Sequence, residues 1–155
     1  MPDLPRAIII ERKDVTHDLW VIKLKPEIPF TFKPGQYITI GAEGIERPYS
    51  IVSAPHETYI ELFVELVPLP QGQLTPILHK MSPGTTVSIR PRAKGVFTID
   101  QQYSKHLMVA TVTGVVPYIS IIRNYLYQET SGHQFYILMG ASYQEEFTYD
   151  KELYG

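Results

Sequence analysis

Residues 44–55 read GIERPYSIVSAP, and in them Arg47, Pro48, Tyr49 and Ser50 stand side by side within a strand-like stretch. A guanidinium fork matches the geometry of a phosphate, and a phenol ring offers a flat surface for stacking. Pro48 has no N–H, which suits an edge strand, and it pushes Arg47 toward extended backbone. Period-two alternation then puts Arg47 and Tyr49 on one face and Ser50 on the other. The set would suit a ligand carrying both a phosphate and a flat ring. Ser50 could donate to a ring nitrogen only where the strand bends or ends at residues 49–50. On their own, the four residues fit at least as well a surface arginine, a core tyrosine and a turn serine.

Two further stretches carry the same kind of chemistry. In ELFVELVPLPQGQLTPIL, residues 61–78, Gly72, Gln73, Leu74 and Thr75 run directly into a short helix. Glycine permits close backbone approach, and a helix start offers free N–H groups and a positive dipole end to an anion. In ATVTGVVPYIS, residues 110–120, a strand leads through a turn with Gly114 into a helix opened by Pro117. That is how α/β folds hold dinucleotide pyrophosphates, although the turn is not GxGxxG. A routine capped helix and a plain strand-to-helix connection would read the same way.

The elements that must position these residues change character along the chain. Up to about residue 100 the pattern is β, with strands expected in AIIIERKDV, DLWVIKLK, GQYITIG, RPYSIVS, YIELFVELV, TTVSIRP and GVFTID. Many short strands at close spacing predict an antiparallel barrel or sandwich. One short helix interrupts them at TPILHKM, with Thr75 as N-cap and Pro76 at its first position. HLMVAT, residues 106–111, is a continuous apolar run, expected for a strand buried on both faces. A helix from Pro117 to about Gln128 should pack through Ile119, Ile122 and Leu126, and QFYILMGA supplies a second strand. The expectation is a mainly β region followed by α/β, with domains at 1–102 and 103–155. Two parallel strands and one helix are too few for a complete α/β domain, so the second is expected to be truncated, with a further helix starting in YDKELYG.

Composition narrows the function classes. With 14 Lys+Arg against 16 Asp+Glu, net charge −2, there is no basic footprint for nucleic acid and no polybasic cluster for a membrane surface. The absence of cysteine excludes disulfides, thiolate catalysis and Cys-ligated metal or iron–sulfur sites in these residues, and fits a cytoplasmic protein. MPDLPRAIII lacks a basic region followed by a long apolar core, so no secretory signal is expected. His17, His56, His79, His106 and His133 show no metal-ligand spacing and read as surface or turn residues. Arg90, Arg92 and Lys94 alternate, as on one face of a strand, and could meet an acidic electron carrier or simply be solvated.

In order and spacing these motifs resemble the ferredoxin–NADP reductase family. Arg47, Tyr49 and Ser50 match its Arg-x-Tyr-Ser motif. The strand FVELV and residues 72–75 match its following strand and Gly-x-x-Ser/Thr segment, and KGVFTID its Gly-x-Phe. VTGVVPY, residues 112–118, is similar to its Gly-Thr-Gly-x-x-Pro-Phe/Tyr turn. The resemblance covers nearly the whole chain. It implies a Greek-key flavin-binding barrel followed by an incomplete βαβ nucleotide-binding domain. FAD is implied rather than FMN, with NADP or NAD as substrate and a ferredoxin or flavodoxin-like carrier as partner.

Carried over residue by residue, the resemblance implies that Arg47, beside Pro48, pairs with the flavin pyrophosphate. Tyr49 would stack on the isoalloxazine, and Ser50 would lie near its reactive nitrogen. Phe63, Val64, Glu65 and Leu66 would line the flavin, while Gly72, Gln73, Leu74 and Thr75 would hold its phosphates. Thr113, Gly114 and Pro117 would form the floor where nicotinamide meets flavin. Hydride chemistry belongs to the cofactors, so no acid–base triad is required. Val112 stands where the family has glycine, which should alter the pyrophosphate's approach. The alternative reading is a flavin-binding module or electron-transfer subunit, completed by another subunit or a missing C-terminal half. On either reading, flavin affinity should outlast reductase turnover in this chain.

Overall fold

A computed structural model describes residues 3–129 and 131–154. Met1 and Pro2 of the opening segment and Gly155 of the closing one lie outside the described residues. Six strands form one antiparallel sheet: β1 (Arg6–Asp14), β2 (Leu19–Pro26), β3 (Tyr37–Ala42), β4 (Ile45–Ser50), β5 (Ile60–Glu65) and β6 (Thr86–Ile89). Their order is β4-β3-β6-β1-β2-β5, with β6 returning between β3 and β1 in a Greek-key path. Ile9, Ile22, Ile38, Leu62 and Ile89 converge on a single interior, and Tyr49 of β4 packs against it. The barrel is not closed by a ladder. Its edges, β4 and β5, meet beyond the end of β4, where the Val52 N–H donates to the Glu61 carbonyl at 2.8 Å.

Strands β2 and β5 carry apolar runs, Leu19–Ile22 and Leu62–Val64, because both of their faces are covered there. Trp20, Ile22 and Leu24, with Ile60, Leu62 and Val64, point into the barrel. Leu19, Val21 and Phe63 point outward into a second cluster with Ala110, Val115, Val116, Ile119 and Tyr149. That cluster is the seam joining the barrel to the second, α/β unit. In β1 the register shifts between Ile9 and Glu11, and the extra residue, Ile10, is exposed.

Beyond the barrel lie β7 (Lys105–Thr111), a 3-10 turn (Val112–Val115), α2 (Val116–Tyr127), β8 (Gln134–Gly140) and a last short helix, α3 (Asp150–Tyr154). Strands β7 and β8 pair in parallel and, among the described residues, with no other strand. The expectation that residues 106–111 are buried on both faces is overturned. Met108 and Ala110 are buried, whereas Leu107 and Val109 are exposed beside Tyr136 and Leu138 of β8. Only one face of this two-stranded sheet is covered. Leu126 is exposed too, because α2 packs through Val116, Ile119, Ser120 and Ile121 instead.

Three other expectations need correction. Helix α1 (Leu74–His79) has Gln73 at its N-cap; Thr75 lies inside the helix and its hydroxyl is committed to Val67. Residues 95–100 form no strand, for Val96 is 95% exposed with nothing to pair against, and the ladder shrinks to one bridge between Tyr37 and Lys94. There the chain is held by Gly35 (φ 98°), where a Cβ would come within 1.8 Å of the Phe97 carbonyl oxygen. Arg90, Arg92 and Lys94 do not share a strand, since β6 ends at Ile89, and Arg90 is engaged by Glu46 through a 2.7 Å Nε–Oε1 contact. Among the described residues, no helix is long and apolar enough to cross a membrane.

Candidate functional site

Strand β4 is regular up to Ser50 and stops there. Tyr49 pairs with Ile38 and Arg47 with Ile40, so both follow those buried residues to the core-facing side of the sheet. After Ser50 the alternation breaks, and Ile51, Val52, Ser53 and Ala54 are all buried. A strand end thus stands at Ser50, and Ser50 lines the same cleft as Arg47, Pro48 and Tyr49.

The cleft has a volume of about 400 Å³, within the range of small-molecule sites. Arg47, Pro48, Tyr49 and Ser50 form one wall. Phe63 and Glu65 form its floor; Gly72, Gln73, Leu74 and Thr75, with Val67 and Gln71, form the opposite wall; and Thr113 and Val116 reach in from the second unit. Most of the residues singled out in the sequence thus face one space. Val64 and Leu66 do not, because alternation along β5 turns them to the barrel interior. Gly114 of the same turn as Thr113, and Pro117 in the first turn of α2, lie outside the lining.

The walls differ in chemistry. Arg47 donates Nη1 to the Glu46 carbonyl at 2.7 Å, and among the described residues it has no carboxylate partner, so its guanidinium remains available to an anion. Burial pushes the Tyr49 phenol up to about 12, against a smaller opposing pull from Arg47, so the ring is neutral at physiological pH. Glu65 is raised above the ordinary carboxylate range, first by burial and then by the charges of Asp18 and Glu146. On the far wall a Cβ at Gly72 would come within 1.8 Å of the Val67 carbonyl oxygen, so only glycine permits that crossing. Thr75 Oγ1 closes the loop by accepting from the Val67 N–H at 2.9 Å and donating back to its carbonyl at 3.1 Å.

At the turn, Val112 adopts φ 42°, the left-handed region that a β-branched residue avoids. The site thus departs from the family pattern in side chain while keeping a backbone that favours glycine. Two histidines read as surface residues have other roles. His106 and His133 are hydrogen-bonded through Nε2 and Nδ1 at 2.9 Å, which ties β7 to the approach of β8. Among the described residues, no three His, Cys, Asp or Glu groups are placed to hold a metal. Sequence reasoning missed Val67, Gln71 and Val116; the loop length before α1 was the available signal for the first two.

The family model described as oxidoreductase FAD-binding domain matches residues 6–99. A flavodoxin/ferredoxin–NADP reductase of Buchnera aphidicola subsp. Baizongia pistaciae is 33% identical over 157 aligned positions, covering 95% of this chain and 60% of that protein. The Escherichia coli protein of the same name is 36% identical over 104 residues, 63% of this chain and 40% of its own length. The chain therefore spans less than two thirds of the relatives it matches. A ferredoxin NADP+ reductase from Neisseria gonorrhoeae, solved with bound FAD and NADP, superposes with a TM-score of 0.86 at 24% identity, over 96% of this chain and 62% of that one. Phthalate dioxygenase reductase superposes at 0.84 with 20% identity, over 97% and 47% of the two chains; these likenesses carry the fold. With a family model that matches more than half of its residues, and that fold, the chain belongs to the oxidoreductase FAD-binding domain family.

Proposed function

We propose that the cleft holds FAD, and that the chain, alone or within a longer polypeptide, passes electrons between NADP(H) or NAD(H) and a one-electron carrier, ferredoxin or flavodoxin. The observation that carries this is the convergence of Arg47, Tyr49, Ser50, Phe63, residues 72–75 and Thr113 on one space. The donor set fits the cofactor: an unpaired guanidinium for phosphate, a neutral ring to stack, and a hydroxyl beside it. When bound, the flavin supplies two-electron acceptance and one-electron release. The residues bind and orient. Arg47 and the backbone of Gln73, Leu74 and Thr75 take the phosphates, Pro48 holds Arg47 extended, Tyr49 and Ser50 flank the reacting ring, and Phe63 and Glu65 close it from below. Val64 and Leu66 act from behind this surface, and Thr113, Gly114 and Pro117 offer the nicotinamide its floor. Residues 1–102 form the FAD domain and 103–155 the beginning of the nucleotide domain; a cytoplasmic location is part of the same proposal.

A second reading, a flavin-binding module or electron-transfer subunit completed by further polypeptide, is favoured by the bare face of β7 and β8 and the partial span of the relatives. Both readings predict a purified protein that absorbs near about 450 nm, or that gains this band with FAD. A colourless protein that neither FAD nor FMN reconstitutes would overturn both. Anaerobic addition of NADPH or NADH separates them: bleaching supports the reductase, and its absence with both nucleotides supports the module.

A further inference from the structure

Three contacts run along one face of α2, at positions 120, 123 and 127, spaced by three and four. Ser120 Oγ donates to the Ser53 carbonyl at 2.8 Å, with both residues buried. Arg123 places Nη1 at 3.2 Å from Glu61 Oε1 and 3.4 Å from Glu57 Oε2. Its Nε and Nη2 fork onto the two oxygens of Glu152, each at 2.8 Å. Tyr127 stacks on His56 with ring centroids 3.6 Å apart and planes within 7°.

The partners on the barrel side all lie shortly after Ser50 in the chain. Ser53, His56 and Glu57 belong to the segment leaving the cleft wall, and Glu61 to β5. This segment is tied to itself: Ser53 Oγ accepts from the Glu61 N–H at 3.1 Å, and Glu57 Oε2 from the Ala54 N–H at 2.6 Å. Glu61 is 5% exposed, and its other oxygen accepts from the Tyr149 hydroxyl. A buried carboxylate of this kind is held in place by its partners, and a planar guanidinium serving several oxygens restrains direction as well as distance. The opposite end of α2 begins at Val116, which lines the cleft beside Thr113. The wall at residues 47–50 and the turn bearing Thr113 are therefore linked through α2 and the segment that follows Ser50.

We propose that Arg123 is a positioning residue: through Glu57, Glu61 and Glu152 it holds α2, and so the turn bearing Thr113, in register with the wall formed by Arg47, Tyr49 and Ser50. It lines no part of the cleft itself. Changes in the flavin-gripping wall then reach the nicotinamide floor through the helix, a consequence that rests on the flavin reading above.

Hydrogen exchange followed by mass spectrometry tests this in two arms. Without flavin, Arg123→Gln should speed exchange in residues 112–127 by at least about tenfold while β1 and β2 keep their protection. Arg123→Lys, which keeps a cation among the three carboxylates, should return part of it, and Ser120→Ala should show a weaker form of the same effect. With FAD added, wild type should gain protection at residues 47–52, at 72–75 and also at 112–127. Arg123→Gln should gain it at the first two alone, with its FAD dissociation constant within about threefold of wild type. Unchanged exchange at 112–127 in Arg123→Gln, equal loss in the Lys and Gln variants, or global loss of protection with Ser120→Ala unaffected would overturn the positioning role. So would FAD protection of the wild-type cleft that never reaches 112–127. Failure of wild type to bind FAD would sink the flavin reading instead, and the first arm would still decide the clamp.

Discussion

The Tyr149 hydroxyl donates to Glu61 Oε2 at 2.6 Å, joining residues 88 positions apart across the seam between the barrel and the α/β unit. The ring of Tyr149 also meets the edge of Phe63, 5.7 Å away, and Phe63 lines the cleft. Removing the hydroxyl leaves a buried carboxylate oxygen without its donor. Tyr149→Phe should therefore cost about 2 kcal/mol in urea unfolding, as expected for a hydrogen bond to a charged group. A cost near zero would mean that water replaces the phenol at no loss.

The same phenol gives a pH dependence whose sign can be worked out directly. Burial, the first cause, and then Glu61 raise Tyr149 above its ordinary range, and burial raises Tyr49 to about 12. In the unfolded chain both ionise near about pH 10, so above that pH the unfolded state has released protons that the folded state retains. The contribution of these two tyrosines should be level below about pH 10 and fall as pH rises from there toward 12. Tyr149→Phe should make the fall shallower, as read by urea midpoints between pH 8 and 11.

Glu65 moves in the same direction at a lower pH. Its raised position means that the folded state holds a proton where the unfolded state has lost it, so stability falls as pH climbs through the carboxylate range. Glu65→Gln should raise the melting temperature at pH 7 and have little effect near about pH 4, where the unfolded carboxylate is itself protonated. An equal shift at both values would show that charge is not the cause.

Arg47→Ala should weaken FAD binding about ten- to hundredfold, the worth of a charge-assisted phosphate contact, in a titration that tracks quenching of flavin fluorescence. Its melting temperature without flavin should stay close to wild type, because the guanidinium is exposed and, among the described residues, engages the Glu46 carbonyl alone. Unchanged affinity would put the phosphate elsewhere.

Val112 allows a test by comparison. Relief of its left-handed backbone offsets the loss of a half-buried side chain, so Val112→Gly should leave stability within about 1 kcal/mol of wild type. Val115→Ala, at a buried residue with an ordinary φ of −69°, should cost about 2 kcal/mol. Equal losses at the two positions would show that the turn stores no strain.

How much could be read in the sequence depends on how local each cause is. Arg47 and Tyr49 share a side because β4 is a regular strand, and Pro48 marks it as an edge. Gly72 announced a close approach, and the crossing at Val67 supplies it. Ser50 required a strand end that alternation cannot foresee, since burial of Ile51 and Val52 together depends on two separate clusters. The α2 stripe went unread because Ser120, Arg123 and Tyr127 look like a solvated face until residues 53–61 are folded against them. Residues 106–111 misled for the opposite reason, for apolar composition states what a strand can bury and not how many neighbours are present to bury it.

The uncovered side of β7 and β8 has a practical consequence for handling the molecule. Leu107, Val109, Tyr136 and Leu138 form a contiguous greasy band on a two-stranded ribbon whose outer backbone groups find no partner strand among the described residues. Such ribbons template further strands, and nothing charged interrupts this one between Leu107 and Val109 or between Tyr136 and Leu138. Working concentration, more than thermal stability, will set how long a preparation of this chain stays clear.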